Sequence, residues 1–227
     1  EVIAKLDSLG LEEDTIVMWS SDNGAHNEGG HNYEFFESSG PLNGFKRSLH
    51  EGGHRAAFMV RWPGKIKPGV TDQQFAFYDL LPTLADLAEI PTSAYPEDID
   101  GYSAKPTMFG QKQKQPEFIY HEFGDPQDPV CKSIKALDCH YGQSVRMGNY
   151  TGVCLGPTPN AEYPIPDYCT KHPNGEFFLY DLTTDLGQKV DIKDKFPTIT
   201  SEILRLMVDQ HKPFVPVPPK AEGISVA

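Results

Sequence analysis

Thr15-Ile16-Val17-Met18-Trp19-Ser20-Ser21-Asp22-Asn23-Gly24 is an apolar run that stops abruptly in polar residues and a turn. A short continuous apolar run bounded this way reads as a strand buried on both faces, the kind found in parallel sheets covered by helices. In open α/β sheets, ligands collect beyond the carboxyl ends of the strands. The run therefore predicts a carboxylate, Asp22, and a carboxamide, Asn23, where such folds keep their chemistry. Both offer hard oxygen donors suited to calcium or magnesium. Asp-Asn-Gly is also a strong turn signature in its own right. The buried strand before it and a lysine, Lys46, twenty-four residues on favour a metal beside an anion.

Working outward, Val2, Ile3, Leu6 and Leu9 form a helical stripe closed by Gly10. Residues 22 to about 53 form a polar, Gly-rich loop, longer than ordinary connections and therefore expected to be functional. Tyr33, Phe35, Phe36 and Phe45 are available to pin it down. Ala56 to Trp62 reads as a second buried strand. Asp79 is expected to cap a helix with Leu80, Leu81, Leu84 and Leu87 on its buried side, ended by Pro91. The style then changes. Residues 92–116 read as a Pro-rich linker with a short helix. Phe118–His121, Ser144–Tyr150 and Glu176–Leu182 read as strands without intervening helices, which predicts an antiparallel sheet. A last amphipathic helix is expected from about Ile199 to His211, followed by a Pro-rich tail. These patterns divide the chain into an α/β part, 1–112, and a smaller α+β part, 113–227.

The 227 residues carry a net charge of -12, spread along the chain, a field that repels nucleic acid phosphates and anionic membranes. No apolar run is long enough for a membrane-spanning helix. Glu1 falls inside a helical stripe, so the sequence reads as a fragment or one chain of a processed protein. Cys131, Cys139, Cys154 and Cys169 lack metal-type spacing. They read as one or two disulfides, hence a secreted or lysosomal setting, against the alternative of four buried thiols. Asn149-Tyr150-Thr151 is a glycosylation sequon that falls in an apparent strand.

Lys46, in Gly44-Phe45-Lys46-Arg47-Ser48, reads as a fixed cation for charge developing on an anionic ester, against the alternative of a solvated loop lysine. Glu51 is expected to pair with Lys46 or Arg55, and Arg55 to make a structural ion pair. Half of the eight histidines, His26, His31, His50 and His54, lie in or beside the loop. His26, four residues past Asp22, is the best placed to protonate a leaving group. No Gly-x-Ser-x-Gly elbow or Gly-rich phosphate loop is present, so electrostatics are visible without a nucleophile.

These residues resemble the type I sulfatases of the alkaline-phosphatase-like superfamily. Thr15 to Gly24 is similar to that family's second metal-binding strand, and Gly40-Pro41-Leu42-Asn43-Gly44-Phe45-Lys46 with Glu51-Gly52-Gly53-His54-Arg55 to its lysine motif. Val60 to Ile66, Asp79 to Leu84 and Leu179 to Leu182 continue the series in order. The resemblance implies part of an alkaline-phosphatase-like α/β sandwich plus a small C-terminal antiparallel sheet packed on a helix. It implies a sulfuric ester hydrolase in which Asp22 and Asn23 are calcium ligands. Lys46 would bind a sulfate oxygen of a sulfated small molecule or glycan and stabilise the transition state. The residues themselves, apart from the resemblance, nominate His26 and His31 to touch that substrate, against the alternative of surface histidines in a Gly/Asn loop, with Glu51 and Arg55 in support. The family nucleophile is a formylglycine made in a Cys/Ser-x-Pro-x-Arg motif. No Cys-x-Pro-x-Arg is present here, so it is expected in a missing N-terminal half. A phosphatase or phosphonate hydrolase of the same superfamily, or a non-catalytic binder of sulfated glycan, are the alternatives. His54 and Ala57 depart from the family's Glu-Gly-Gly motif, and Thr151 stands where lysine is common.

Overall fold

The structure, a computed structural model, describes residues 1–123, 141–156, 167–171 and 175–212. Cys131, Cys139 and the tail from Pro213 lie outside the described residues.

The stripe at the start forms α1 (Val2–Ser8), and the run before Asp22 forms β1 (Val17–Ser20). β1 pairs with β2 (Phe58–Arg61), placing Trp19 opposite Met59. The expected doubly buried parallel strand is not what forms. The pairing is antiparallel, and Trp19 (54%) and Met59 (58%) stand exposed. Among the described residues no element covers that face, so a run that reads as buried on both sides is covered on one.

α2 (Glu51–His54) is a single turn, and α3 (Leu80–Leu87) follows a short 3₁₀ turn, Phe77–Asp79. Asp79 does not cap α3. Its buried carboxylate accepts the amides of Ala76 (2.8 Å) and Tyr102 (3.0 Å), and burial raises its pKa. Thr83 Oγ1 likewise accepts the Ala104 amide at 2.9 Å. This anchoring turns the Pro82, Thr83 and Ala85 edge inward and leaves Leu81 and Leu84, expected on the buried side, exposed. α4 (Lys105–Met108) is the short helix expected in the linker.

The second unit is an antiparallel meander in the order β3 (Ile119–Phe123), β4 (Tyr141–Met147), β5 (Tyr150–Gly156), β6 (Glu176–Asp181). The stretch expected as one strand, Ser144–Tyr150, is the end of β4, a turn and the start of β5. Gly148 holds φ +59°, the left-handed position that a two-residue hairpin loop asks of glycine. Alternation fixes what each face of this sheet meets. One face packs on α6 (Pro197–Gln210), where Ile203, Leu206 and Met207 meet Val145, Cys154, Phe177 and Leu179. A Cβ on Gly152 would collide with Ile203, so glycine lets the helix close on β5. A disulfide, Cys154–Cys169, ties β5 to α5 (Asp167–Thr170). The other face presents Thr151, Val153 and Tyr180 to Leu49 and the segment around Glu51. The expected small antiparallel sheet packed on a helix is thus present, and its far side backs the lysine segment.

Candidate active site

Backbone hydrogen bonds draw the turn after β1 against the lysine segment. Lys46 N donates to Ala25 O (2.6 Å), Gly24 N to Gly53 O (2.8 Å) and Gly52 N to Asn43 O (2.7 Å). A Cβ on Gly24 would overlap the Gly52 carbonyl, so this approach requires glycine. The result is one open cleft of roughly 470 Å³ lined by Asp22, Asn23, His26, His31, Lys46 and Arg55, with Trp19 and Glu28 on its walls. Residues 22 and 46, whose pairing in the sequence suggested a metal beside an anion, therefore line one cleft.

Lys46 is held by a residue that sequence reasoning missed. Its Nζ lies 3.1 Å from Glu28 Oε2, and Arg47 grips the other oxygen of the same carboxylate. Those hydrogen bonds, Arg47's first and then Lys46's, hold the Glu28 carboxyl below the usual range. Nothing local in the sequence singled out Glu28, since the partner is chosen by how the loop folds back. Arg47 itself sits at φ +80°, a conformation costing a bulky residue roughly 1–2 kcal/mol.

The four histidines separate into two pairs. His26 Nδ1 accepts the Glu28 amide at 3.2 Å, which assigns the ring proton to Nε2. Its ring lies 5.0 Å from that of His31, which shares a hydrogen bond with Ser38 Oγ (3.3 Å) and stacks on Phe36. His50 and His54 instead face the small sheet. His50 is lowered in pKa by burial and packs near Tyr180. His54, the departure from the family motif, stacks on His121 of β3 at 4.1 Å. Burial pushes His54 down to about 4 and His121 down to about 3, so both rings are neutral near pH 7.

Glu51 stands one layer behind the cleft and is 1% exposed. It pairs with Arg55 (3.3 Å), as the sequence allowed, and not with Lys46. Its closer partner is Arg146 of β4 at 2.9 Å, and it also accepts from Thr151 Oγ1 at 3.2 Å. Gln188 Oε1 takes the Glu51 amide at 2.8 Å. Thr151, which stands where lysine is common in the family, is buried and bonded to Glu51. The carboxylate is thus shared between the cleft wall and the small sheet.

Asp22 accepts no hydrogen bond among the described residues, and Asn23 Nδ2 donates to Gly24 O at 3.0 Å, leaving its Oδ1 for a ligand. A carboxylate and a carboxamide oxygen suit a hard divalent cation in kind. They fall short in number: calcium takes six to eight oxygens. Among the described residues no group of three or more acidic, histidine or cysteine side chains is placed to hold a metal.

A family model described as Sulfatase matches residues 1–90. Steryl-sulfatase of Mus musculus is 32% identical over 212 residues, covering 83% of this chain and 30% of that protein. Arylsulfatase A of Homo sapiens is 35% identical over 223 residues, covering 91% of this chain and 39% of that protein. The chain belongs to the sulfatase family. A solved protein described in connection with the metabolism of multiple glycosaminoglycans by Bacteroides thetaiotaomicron matches this sulfatase chain with a TM-score of 0.65 at 25% identity. That match covers 92% of the chain and 41% of the other protein, and places its α/β fold among those of solved sulfatases of the alkaline-phosphatase-like superfamily. The sulfatase chain thus spans well under half the length of the relatives it matches.

Proposed function

We propose that the polypeptide to which this chain belongs hydrolyses sulfuric esters of small molecules or glycans, and that residues 1–112 form part of its catalytic domain with 113–227 as a smaller subdomain. The observation that carries this is the cleft in which backbone bonds bring Lys46 to Asp22 and Asn23. Cleaving a sulfate ester spreads charge over the peripheral sulfuryl oxygens, much as phosphoryl transfer does. A preorganised ammonium is worth most where that charge develops. Lys46 fills this role, oriented by Glu28. His26 carries its ring proton on Nε2 at the cleft and serves as the donor to the departing oxygen. His31, beside it, contacts the substrate. Asp22 and Asn23 would hold a calcium-type cation together with ligands from outside these residues, and such a cation acts as a Lewis acid toward a sulfate oxygen. Glu51 and Arg55 brace the cleft wall. The nucleophile, a formylglycine in this family, must come from outside these residues. The disulfide supports a secreted or lysosomal setting.

The test is turnover of 4-nitrophenyl sulfate by the full polypeptide, with calcium and after chelation. Calcium-dependent sulfate release is expected, and Lys46→Ala should lower kcat/KM by about 10²–10³-fold. Preference for 4-nitrophenyl phosphate or a phosphonate ester would replace this assignment with a sister activity of the superfamily. Binding of a sulfated glycan without turnover by the fully modified protein would make it a pseudoenzyme.

A further inference from the structure

We infer that Asn149 is an N-glycosylation site. Asn149-Tyr150-Thr151 is the one Asn-x-Ser/Thr sequon in the 227 residues. A strand interior would bury such an asparagine, but the structure puts this one at the tip of the β4–β5 hairpin. Met147 and Tyr150 form the closing pair, Gly148 takes the left-handed position, and Gly148 and Asn149 are both exposed. The backbone at the tip is tied down: Gly148 O accepts from Gln74 Nε2 (3.2 Å), and Asn149 O accepts the Leu182 amide (2.9 Å). The Asn149 side chain makes no hydrogen bond among the described residues. A glycan there would stand off a fixed turn without displacing any packed group.

The other two sequon residues set the order of events. Tyr150 packs its ring near Phe196, and the Thr151 hydroxyl is buried on Glu51. A transferase that reads the hydroxyl two residues after the asparagine cannot reach it once the hairpin has closed. Modification must therefore precede folding of β4 and β5, as it does on a chain entering the secretory lumen. Cys154, three residues beyond Thr151, is oxidised to a disulfide with Cys169, which such a lumen supports. In the transfer, the Asn149 amide nitrogen bonds to the anomeric carbon of an oligosaccharide carried on a polyisoprenyl pyrophosphate. The carbon–oxygen bond to the pyrophosphate breaks, the lipid pyrophosphate leaves with the electron pair, and the amide loses one proton to a base.

The experiment is peptide mass spectrometry on the full polypeptide secreted from a eukaryotic cell, because other parts of it can carry sequons of their own. Most of the Asn149 peptide should be recovered as a glycopeptide, and peptide N-glycosidase should convert that residue to Asp. Asn149→Gln should remove the glycopeptide. Thr151→Ser should keep it, since serine preserves both the sequon and a hydroxyl for Glu51. Recovery of secreted, disulfide-bonded protein with Asn149 unmodified would overturn the assignment. Should Asn149→Gln fail to be secreted, the wild-type glycopeptide decides alone.

Discussion

Glu51 lies buried behind the cleft, its carboxylate shared among Arg55, Arg146 and Thr151. Its carboxylate is buried, so removing it strands the partly buried Arg146 guanidinium and the Thr151 hydroxyl. Breaking a buried pair by deleting one partner costs about 3–5 kcal/mol. Glu51→Ala should lower stability by that order in urea unfolding of the full polypeptide, whereas Arg55→Met, at a half-exposed partner, should cost about 1 kcal/mol or less. Equal losses would show that Arg146 does not share the carboxylate. The same contrast marks what was legible in the sequence. Asp22, Asn23, His26, His31 and Lys46 lie in one stretch whose order carried the signal, and they line one cleft. Glu28 and Arg146 were invisible: Glu28 meets Lys46 only after the loop folds back, and Arg146 meets Glu51 across ninety-five residues.

At the scale of elements, β5 was the main miss. Alternation from Ser144 to Tyr150 imitates one strand, yet Gly148-Asn149 between alternating runs is itself a hairpin signal. The leucines of α3 misled for a different reason: periodicity fixes a face but not which face the buried Asp79 carboxylate turns inward. Where elements close tightly, single atoms matter. Gly152→Ala would drive a methyl into Ile203 of α6, an overpacking that costs about 1–3 kcal/mol. Thermal unfolding should show that loss, and a partial recovery with Ile203→Val would identify the contact. α2 and β3 meet through His54 and His121, both neutral when folded. Their folded pKa values lie below that of an unfolded histidine, so acid favours the unfolded chain. The stability they contribute is whole above about pH 6.5. It falls as the pH drops toward about 4 for His54 and about 3 for His121, by roughly 1 kcal/mol per pH unit for each ring. Urea midpoints measured from neutral to acid pH should show this slope, and His121→Phe should remove about half of it. A wild-type slope of zero would mean that the two rings titrate in the folded chain as they do in the unfolded one.

For the whole molecule, the exposed faces and the incomplete metal pair lead to one expectation. Trp19, Met59, Leu81 and Leu84 are exposed apolar surface, and Asp22 with Asn23 supplies two donors where calcium takes at least six. The isolated 227-residue chain should therefore show no turnover of 4-nitrophenyl sulfate even in millimolar calcium, while the full polypeptide turns it over. Activity in the isolated chain would place a nucleophile among these residues. The four-stranded sheet has both faces committed, one to α6 and the other to the segment that carries Lys46 and Glu51. Occupancy of the cleft and integrity of the sheet are thus linked variables. A ligand that binds only the folded arrangement adds its own free energy to the stability of both. The amide protons of β4 and β5, far along the chain from Lys46, then become slow-exchanging reporters of whether an anion is bound.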